Sequence, residues 1–414
     1  MSDAVVVPPL RRPQFRKLLA ISITVALGFG MVIPILPLYA RSFGVAIALI
    51  GLIQFVFGLT RFSFGLVGGL VVDRFGERAC TIAGLLIVSA SSFAVGLAQS
   101  FPQLVIARGF GGAGSALFIG GLMNRILRII EPEAMGRATG AFRSSFLVGI
   151  ALGPLFGGVI AQQLGLAAPF HIYGAGLVVA AVIAWFVMAG EAREVEPERK
   201  DPMEALRAAR PLFSDQRYFV ALLATFVGWW TISGAAQTLG PLFADDVLGF
   251  SEQQIGFAVT LLAVGEIAIL AIAGSLADRI GRRAVLVPSL VVTAGATALM
   301  GQVAGAPWAY YPLMVAIGAG IAAGGVAAGG LLGDSIPRGG SGAALGVNQK
   351  AGDVGYLNAP TALGTIAQTT SFSTAFALGA LPAAVVAIAS LRLPKPHVPT
   401  SERVDMTPEP HTVG

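Results

Sequence analysis

Residues 68–79 read GGLVVDRFGERA, and residues 273–284 read AGSLADRIGRRA. Each stretch carries four charges in twelve residues, although the whole chain is only 12% charged and 55% hydrophobic. Both follow the pattern G-x-x-x-D-R-x-G-x-R, and the second copy lies 205 positions after the first. A charged turn that occurs twice at this distance in an apolar chain indicates a duplicated unit.

The composition predicts an integral membrane protein. Mean hydropathy is +0.78, and apolar runs of about 20 residues, enough to cross a bilayer as a helix, recur between short polar breaks. The alternative, a soluble α-helical protein, would need helices with polar outer faces, whereas most runs here are apolar all round and the chain contains 54 glycines. The first run, 18–40, contains Pro34 and Pro37 and is too long for a signal peptide, so we interpret it as a retained helix.

Apolar runs between polar breaks predict twelve transmembrane helices, so the predicted fold class is all-α with two six-helix bundles. Two local signals support the boundaries: Ser251 and Gln254 form a capping-box pattern, and Pro102 is expected in the turn before helix 4. The predicted spans are 17–40, 46–70, 79–98, 103–127, 137–162, 168–190, 218–243, 252–276, 284–304, 308–332, 342–367 and 372–392.

The basic residues predict the orientation of these helices. Of 27 lysines and arginines, 22 fall in the two tails or in alternate connections, and only Arg41 falls on the other side. The other four, Arg61, Arg108, Arg143 and Lys350, lie within predicted spans. This asymmetry predicts a multi-pass cell-membrane protein with both termini in the cytoplasm. The net charge of +5 then needs no nucleic-acid partner.

An internal repeat divides the chain into two halves. PLYARSFG (37–44) resembles PLFADDVLG (241–249), and Ile50-Gly51 matches Ile255-Gly256. Near the end of each half, Gly140, Pro154, Gly158 and Gln162 correspond to Gly346, Pro360, Gly364 and Gln368. The offset stays between 204 and 206, which predicts a parallel duplication. The expected division is a bundle at 1–190, a linker at 191–217, a bundle at 218–392 and a polar tail at 393–414.

The charged turns have a mechanical interpretation. A glycine before the charges permits close helix approach, the later glycine permits positive φ, and the aspartate can accept hydrogen bonds from the following helix. A plain positive-inside turn is the alternative, and the duplication favours a gate. The residues of this predicted cytoplasmic gate are Gly69, Asp73, Arg74, Gly76, Arg78, Gly274, Asp278, Arg279, Gly281 and Arg283.

Twelve helices, a six-plus-six repeat and the charged turn resemble the major facilitator superfamily over essentially the whole chain. Three stretches are similar to motifs of its twelve-helix drug:proton antiporters: LGFGMVIPILP (27–37), RGFGGAG (108–114) and GIALGPLFGG (149–158). The third resembles the antiporter motif G-x-x-x-G-P-x-x-G-G, here Gly149, Gly153, Pro154, Gly157 and Gly158. The same glycines are also compatible with an ordinary packing seam.

Two positions depart from the family pattern. The first charged turn usually has a basic residue where this chain has Glu77, and the helix 4 motif usually has glutamine where Gly111 stands. The resemblance also implies that helix 2 faces helix 11 and that helix 5 faces helix 8.

The intramembrane charges suggest a switch. A charge near the bilayer centre costs at least ~2.5–3.5 kcal/mol on insertion scales, so each one needs a partner or a function. Arg61 and Glu266 are 205 positions apart and opposite in sign. We expect interdomain pairs Arg61–Asp353 and Arg143–Glu266, made in one access state and broken in another. The alternative is that Lys350 and Asp353 pair at i, i+3 on one helix.

A carboxylate in a medium of low dielectric can load and release a proton. Glu266 and Asp353 are therefore the candidates for proton coupling, with Arg108 as a modulator. Loss of proton-driven transport in Glu266→Gln or Asp353→Asn would support this hypothesis.

The resemblance implies that helices 1, 4, 7 and 10 line a central cavity. Here they contribute Met31, Asn124, Trp229, Trp230 and Gln237, together with Arg108 as a candidate anchor. The absence of an acid from helix 1 favours neutral, zwitterionic or anionic lipophilic substrates. The tryptophans could equally be lipid or interface anchors.

The leading function is a proton-coupled antiporter that exports small lipophilic compounds, such as drugs, by alternating access. Alternatives are a metabolite or sugar exporter of the same family and a proton symporter for uptake. An enzyme is not expected, because no histidine lies near a plausible nucleophile, and the short tails argue against a receptor. One cysteine and three histidines predict no metal site. No cofactor is expected, and the resemblance implies a proton gradient as the source of energy. The expected partners are protons, a lipophilic substrate and the bilayer, and we expect a monomer.

Overall fold

The computed structural model describes residues 8–131, 134–189, 210–336 and 341–393. In these residues the chain forms twelve long helices, a few short 3₁₀ turns and no strand. The helices are α1 (Pro13–Val32 and Ile35–Arg41), α2 (Ile47–Phe75), α3 (Glu77–Gly96), α4 (Phe101–Ile129), α5 (Met135–Leu164), α6 (Ala168–Val187), α7 (Gln216–Trp230, Thr231–Leu239 and Gly240–Asp246), α8 (Glu252–Ile280), α9 (Arg282–Met300), α10 (Tyr310–Ser335), α11 (Ser341–Thr369) and α12 (Phe372–Ser390).

The helices confirm the predicted fold class. Each predicted span ends within about five residues of a helix end, the usual uncertainty of boundaries read from sequence. Eleven of the described helices are long and apolar enough to cross a membrane. The twelfth, α11, has 29 residues and carries Lys350 and Asp353. Most of the predicted linker (191–209 of 191–217) and nearly all of the tail (394–414) lie outside the described residues.

The helix ends follow from local sequence. Ser251 and Gln254 form the predicted capping box, with Ser251 N donating to Gln254 Oε1 at 2.9 Å. Gly76 and Gly281, which end α2 and α8, have φ of 81° and 96°, so both charged turns use the backbone freedom of glycine. The prediction for Pro102 was wrong. It is the second residue of α4, where the missing N–H costs no helical hydrogen bond.

The duplicated prolines mark interruptions in α1 and α7. A proline lacks an N–H and crowds the carbonyl four residues earlier, which is Ile33 for Pro37 and Gln237 for Pro241. Helix α1 breaks at Ile33 and Pro34, whereas α7 widens into a π-helix over Thr231–Leu239. Period analysis of the sequence cannot distinguish these two outcomes, and the π-helix was not predicted.

The two halves repeat the same helix contacts. In the first half α1 packs on α5, α2 on α4, α3 on α4 and α3 on α6. In the second half α7 packs on α11, α8 on α10, α9 on α10 and α9 on α12, which are the corresponding pairs. Between the halves, α2 packs on α11 and α5 on α8, as expected. We call the end of the bundle that holds Pro13 and Ser390 the terminal side, and the opposite end the far side.

Candidate functional site

The two halves are sealed together on the far side, first between α5 and α8. A Cβ added to Gly158 would overlap the backbone oxygen of Glu252, and one added to Gly256 would overlap the oxygen of Pro154. The two helix backbones are therefore in direct contact, which only glycine at these positions allows.

The same contact is repeated between α2 and α11. A Cβ on Gly51 would lie 2.6 Å from the carbonyl carbon of Pro360, and one on Gly364 would lie 2.8 Å from the oxygen of Ile47. In addition, Gln368 Oε1 accepts a hydrogen bond from Ile47 N at 3.0 Å. Gly51, Pro360 and Gly364 are the repeat equivalents of Gly256, Pro154 and Gly158. We call these six residues the far-side seal.

An ion pair adds a further contact on the far side. Arg41 at the end of α1 lies 3.7 Å from Asp246 at the end of α7, with both side chains partly exposed. Arg41 also donates to the oxygen of Val45 at 3.0 Å. An exposed pair of this kind contributes ~0–1 kcal/mol, so it supplements the seal rather than forming it.

The glycines of GIALGPLFGG divide between two neighbours of α5. Gly149 and Gly153 pack on the backbone of α1, where added Cβ atoms would lie 2.8 Å from Leu27 N and 2.5 Å from Leu27 O. Gly157 likewise contacts the backbone oxygen of Met31. Only Gly158 faces α8. The motif therefore fixes α5 to its own half with three glycines and to the other half with one.

On the terminal side the halves separate. One glycine in each of the four interface helices shows this: among the described residues, an added Cβ at any of them would meet nothing within 4 Å. These glycines are Gly65, Gly140, Gly274 and Gly346. The contact between the halves is thus tight at the far side and open at the terminal side.

Glu266 and Arg143 lie near this opening without meeting. Glu266 is partly exposed in the middle of α8, and Arg143 is exposed near the start of α5. Among the described residues, the Glu266 carboxylate forms neither an ion pair nor a hydrogen bond. The expected Arg143–Glu266 pair is therefore absent from this conformation, which is consistent with a pair that exists in another access state.

Asp353 has a partner on its own helix. Lys350 Nζ lies 2.9 Å from Asp353 Oδ2, the i, i+3 arrangement named as the alternative. The same ammonium lies 3.8 Å from the ring centroid of Phe62 on α2, a cation–π contact between the halves. Arg61 is exposed and forms no ion pair with Asp353 within the described part of the chain.

Arg108 lies inside the first half. Its side chain is only 2% exposed, with the guanidinium 4.5 Å from the ring centroid of Phe57 and 5.7 Å from that of Phe29. Tyr356 of α11 is close enough to interact with it electrostatically. The expectation that Arg108 lines the central cavity is not met in this conformation, because side chains of α1 and α2 cover it.

The other predicted cavity residues occupy different surroundings. Trp229 is 40% exposed and packs edge-on against Tyr356 at 5.8 Å, beside the interface between the halves. The Trp230 indole N–H donates to the oxygen of Gly379 at 3.1 Å, so this ring packs against α12 instead. Met31 is buried against α5, while Asn124 and Gln237 are partly exposed.

Comparison with known families decides the identity of this architecture. The family model of the Major Facilitator Superfamily matches residues 18–252 and 237–412. The chain belongs to the major facilitator superfamily. Superfamily membership makes it a transporter rather than an enzyme.

Relatives within the superfamily include drug exporters. The chain is 26% identical over 237 residues to "Multidrug resistance protein 1" of Bacillus subtilis (strain 168), which covers 56% of this chain and 59% of that protein. It is also 26% identical over 277 residues to "Multidrug resistance protein 2" of the same organism, covering 65% and 68%. "Quinolone resistance protein NorA" of Staphylococcus aureus (strain N315) is 26% identical over 234 residues, covering 56% and 59%. The match thus spans about three-fifths of the length of the first of these relatives.

Solved superfamily structures share the fold at low identity. A bacterial homologue of the human lysosomal transporter Spinster, in an inward-facing and unoccupied conformation, gives a TM-score of 0.72 at 18% identity, covering 92% of this chain and 95% of that one. The nucleoside transporter NupG gives 0.73 at 14% identity, covering 92% and 98%. At these identities the likeness concerns the fold alone.

The structure explains the departure from the superfamily pattern at Glu77. Its carboxylate lies 3.2 Å from the guanidinium of Arg125 and 3.2 Å from that of Arg128, both at the end of α4. In the second half the equivalent residue, Arg282, pairs with Asp278 and lies 3.7 Å from Asp334 at the end of α10. The two turns therefore carry the same bridge with the charges exchanged.

The remaining gate residues show partial agreement with the prediction. Arg78 donates to the backbone oxygen of Trp185 at 2.9 Å, and its equivalent Arg283 donates to that of Leu393 at 2.8 Å. Each arginine therefore binds a backbone carbonyl at the end of the last helix of its half. Arg74 lies 5.5 Å from the ring centroid of Phe75. Arg279 is exposed. The surroundings of Gly69 and the side chain of Asp73 lie outside the described part.

We expect Glu77→Gln to destabilise the folded protein by about 2–4 kcal/mol, because it removes the negative charge that pairs with Arg125, whose side chain is only 2% exposed. A thermal unfolding scan in detergent measures the change. Glu131→Gln is the matched control: Glu131 pairs with Arg12 at a more exposed position, and the expected loss is below about 1 kcal/mol. Equal losses in the two variants would contradict the assignment.

Two contacts of the site were not predicted from the sequence. Tyr356 Oη lies 3.4 Å from Gln54 Oε1 and joins α11 to α2 in the middle of the interface. Gly111 packs on α3, where an added Cβ would lie 2.6 Å from Ser91 Oγ, so the glutamine usual in the superfamily would not fit without a shift. The repeat comparison could have found Arg41 and Asp246, since PLYAR and PLFADD align.

Proposed function

We propose that the chain is a proton-coupled antiporter that exports small lipophilic compounds by alternating access. The observation that carries this proposal is the far-side seal. It contains Pro154 and Gly158 of the antiporter motif and their repeat equivalents, which pack on Gly256 and Gly51, while the same four helices part on the terminal side. Such an arrangement lets the two halves rock about a central site.

The orientation rests on the basic residues. The terminal side holds the charged turns and nearly all lysines and arginines outside the spans, so we assign it to the cytoplasm of a cell-membrane protein. The conformation is then inward-open, and the Spinster homologue was solved in an inward-facing conformation. Both termini are cytoplasmic in this assignment.

Glu266 is the better candidate for the proton carrier. Asp353 has Lys350 at 2.9 Å, so its charge is compensated, whereas Glu266 has no partner among the described residues. A carboxylate without a partner in the membrane is tolerated best when protonated. We therefore assign protonated Glu266 to the inward-open state.

The exchange of one proton can then drive the cycle. Loss of the Glu266 proton to the cytoplasm creates a carboxylate that attracts Arg143 on α5 and favours closure of the terminal side. Protonation from outside breaks the Arg143–Glu266 pair and favours return to the inward-open state. The α2–α11 interface carries the charges of Arg61, Lys350 and Asp353. We expect Arg61 to approach Asp353 in the same state in which Arg143 approaches Glu266.

The substrate class follows from the polar groups of α1 and α7. No acid lies in α1 beyond Pro13, and Trp229 offers an apolar ring beside the interface. We therefore favour neutral, zwitterionic or anionic lipophilic compounds. The names of the relatives, multidrug and quinolone resistance proteins, support small drug-like substrates.

Transport into inside-out vesicles tests this function. With an acidic vesicle interior, we expect dyes and antibiotics to accumulate, and we expect their release when the pH gradient is collapsed. Vesicles without the protein are the control. Accumulation driven by sodium or by no gradient would contradict this proposal. Transport of sugars or metabolites in the opposite direction would favour the alternative of a proton symporter.

Cysteine cross-linking tests the proposed Arg143–Glu266 approach. In a Cys80→Ala background, we expect the pair made by Arg143→Cys and Glu266→Cys to cross-link only when a ligand or partner traps the terminal side closed. The pair made by Arg61→Cys and Asp353→Cys should behave in the same way. Each single-cysteine variant is the control. If neither pair cross-links in any trapped state, the interdomain switch is wrong.

A further inference from the structure

Arg108 is a buried cation without an acceptor. Its side chain is 2% exposed, and among the described residues its guanidinium donates no hydrogen bond, with Nε buried and unpaired. An arginine side chain stays protonated in proteins, so it cannot remove this cost by losing its charge. An uncompensated buried ion costs several kcal/mol even after the protein relaxes.

The aromatic rings near Arg108 compensate only part of this cost. The ring centroids of Phe57 and Phe29 lie 4.5 and 5.7 Å from the guanidinium carbon. A desolvated cation–π contact contributes about 2 kcal/mol, which is less than the cost of the buried charge. No carboxylate of the described residues pairs with Arg108, so within this part of the chain no negative charge balances the guanidinium.

A narrow cavity lies directly against Arg108. Its polar lining consists of Arg108, Ser115 and Tyr173, and the rest is apolar. Within the described part of the chain, the hydroxyls of Ser115 and Tyr173 make no hydrogen bond. The Tyr173 hydroxyl is also close enough to Arg108 to interact with it electrostatically. Every polar group at the cavity can therefore donate, and none of them is a carboxylate.

We propose that this cavity binds one small monovalent anion of the chloride class. The guanidinium supplies the charge, the two hydroxyls supply further donors, and the apolar walls lower the local dielectric and strengthen the attraction. There is room for about one or two species the size of a water molecule, which suits a halide and is too small for a drug-like substrate. The site lies within the first half and does not depend on the transported compound.

Thermal stability in different salts tests the anion site. We use the whole protein in detergent, with sodium chloride replaced by sodium gluconate at equal ionic strength. A ligand that binds only the folded state raises Tm, and we expect a rise of about 3–8 °C at chloride concentrations about 100 times Kd, which continues with the logarithm of the concentration. Bromide should act like chloride and give an anomalous scattering peak beside Arg108 in crystals. An unchanged Tm and no peak would overturn the proposal.

Variants assign the effect to this cavity. Arg108→Gln should abolish the chloride dependence of Tm, and Tyr173→Phe should shift this dependence to about 5-fold higher chloride concentrations through loss of one hydrogen bond. Arg41→Gln, at an arginine on the far side, is the control and should keep the full response. If Arg108→Gln does not fold, Tyr173→Phe decides alone. A response that is the same in Tyr173→Phe and the original protein would contradict the site.

Discussion

Glu266→Gln is expected to abolish proton-driven export while the protein still inserts and folds. Glutamine keeps the size and hydrogen-bonding capacity of a protonated carboxyl group but cannot ionise. In the proposed cycle the side chain at position 266 therefore stays uncharged, as it is in the inward-open state. Substrate accumulation in vesicles with an imposed pH gradient measures the effect, and we expect it to fall to the level of vesicles that lack the protein.

Two comparisons make this result specific. Binding of substrate to the purified Glu266→Gln protein should persist, because the variant loses ionisation and not the cavity. Asp353→Asn should retain more transport than Glu266→Gln, since Asp353 already has Lys350 at 2.9 Å and is not needed as the carrier. Full proton-driven transport in Glu266→Gln would exclude this residue as the carrier.

Gly158→Leu is expected to prevent the far-side seal from closing. The added Cβ alone would overlap the backbone oxygen of Glu252, and neither helix can move aside without opening the contact with Gly256. Overpacking of this kind costs about 1–3 kcal/mol, which corresponds to a roughly 5- to 150-fold shift of the population away from the inward-open state. Transport should fall by at least about 10-fold.

The repeat supplies an independent check of the seal. Gly364→Leu should give the same loss as Gly158→Leu, because Gly364 makes the equivalent contact with Ile47. Gly295→Leu on the exposed face of α9 is the control, since an added Cβ there meets nothing within 4 Å. Equal transport in all three variants would show that the seal does not limit the cycle.

The sequence predicted the fold largely through its duplication. The charged turns and the proline and glycine pairs lie at offsets of 204 to 206, and the helices end close to the predicted positions. The turn at Gly76 and the capping box at Ser251 depend on neighbouring residues only, which is why both were predicted correctly. The π-helix in α7 was not predicted, because Pro37 and Pro241 carry the same local signal and tertiary packing decides between a break and a widened turn.

The candidate site was predicted less completely. Opposite charges on two helices expected to face each other suggested that Arg61 would meet Asp353, but this does not specify which side chain turns towards which helix. In this conformation Lys350 holds Asp353 instead. Arg108 was expected on the cavity surface, yet rings of α1 and α2 enclose it, a consequence of packing within the first half that spacing along one helix cannot show.

Distances between spin labels on the two halves test the central claim, that ionisation of Glu266 rocks the halves about the far-side seal. In a Cys80→Ala background, one pair replaces Arg137 and Ile280 on the terminal side, and another replaces Leu97 and Trp308 on the far side, all four exposed. From acidic to alkaline buffer, we predict a shorter terminal-side distance and a longer far-side distance, with neither change in Glu266→Gln. Distances that stay constant, that change in the same direction on both sides, or that respond equally in Glu266→Gln would contradict the claim.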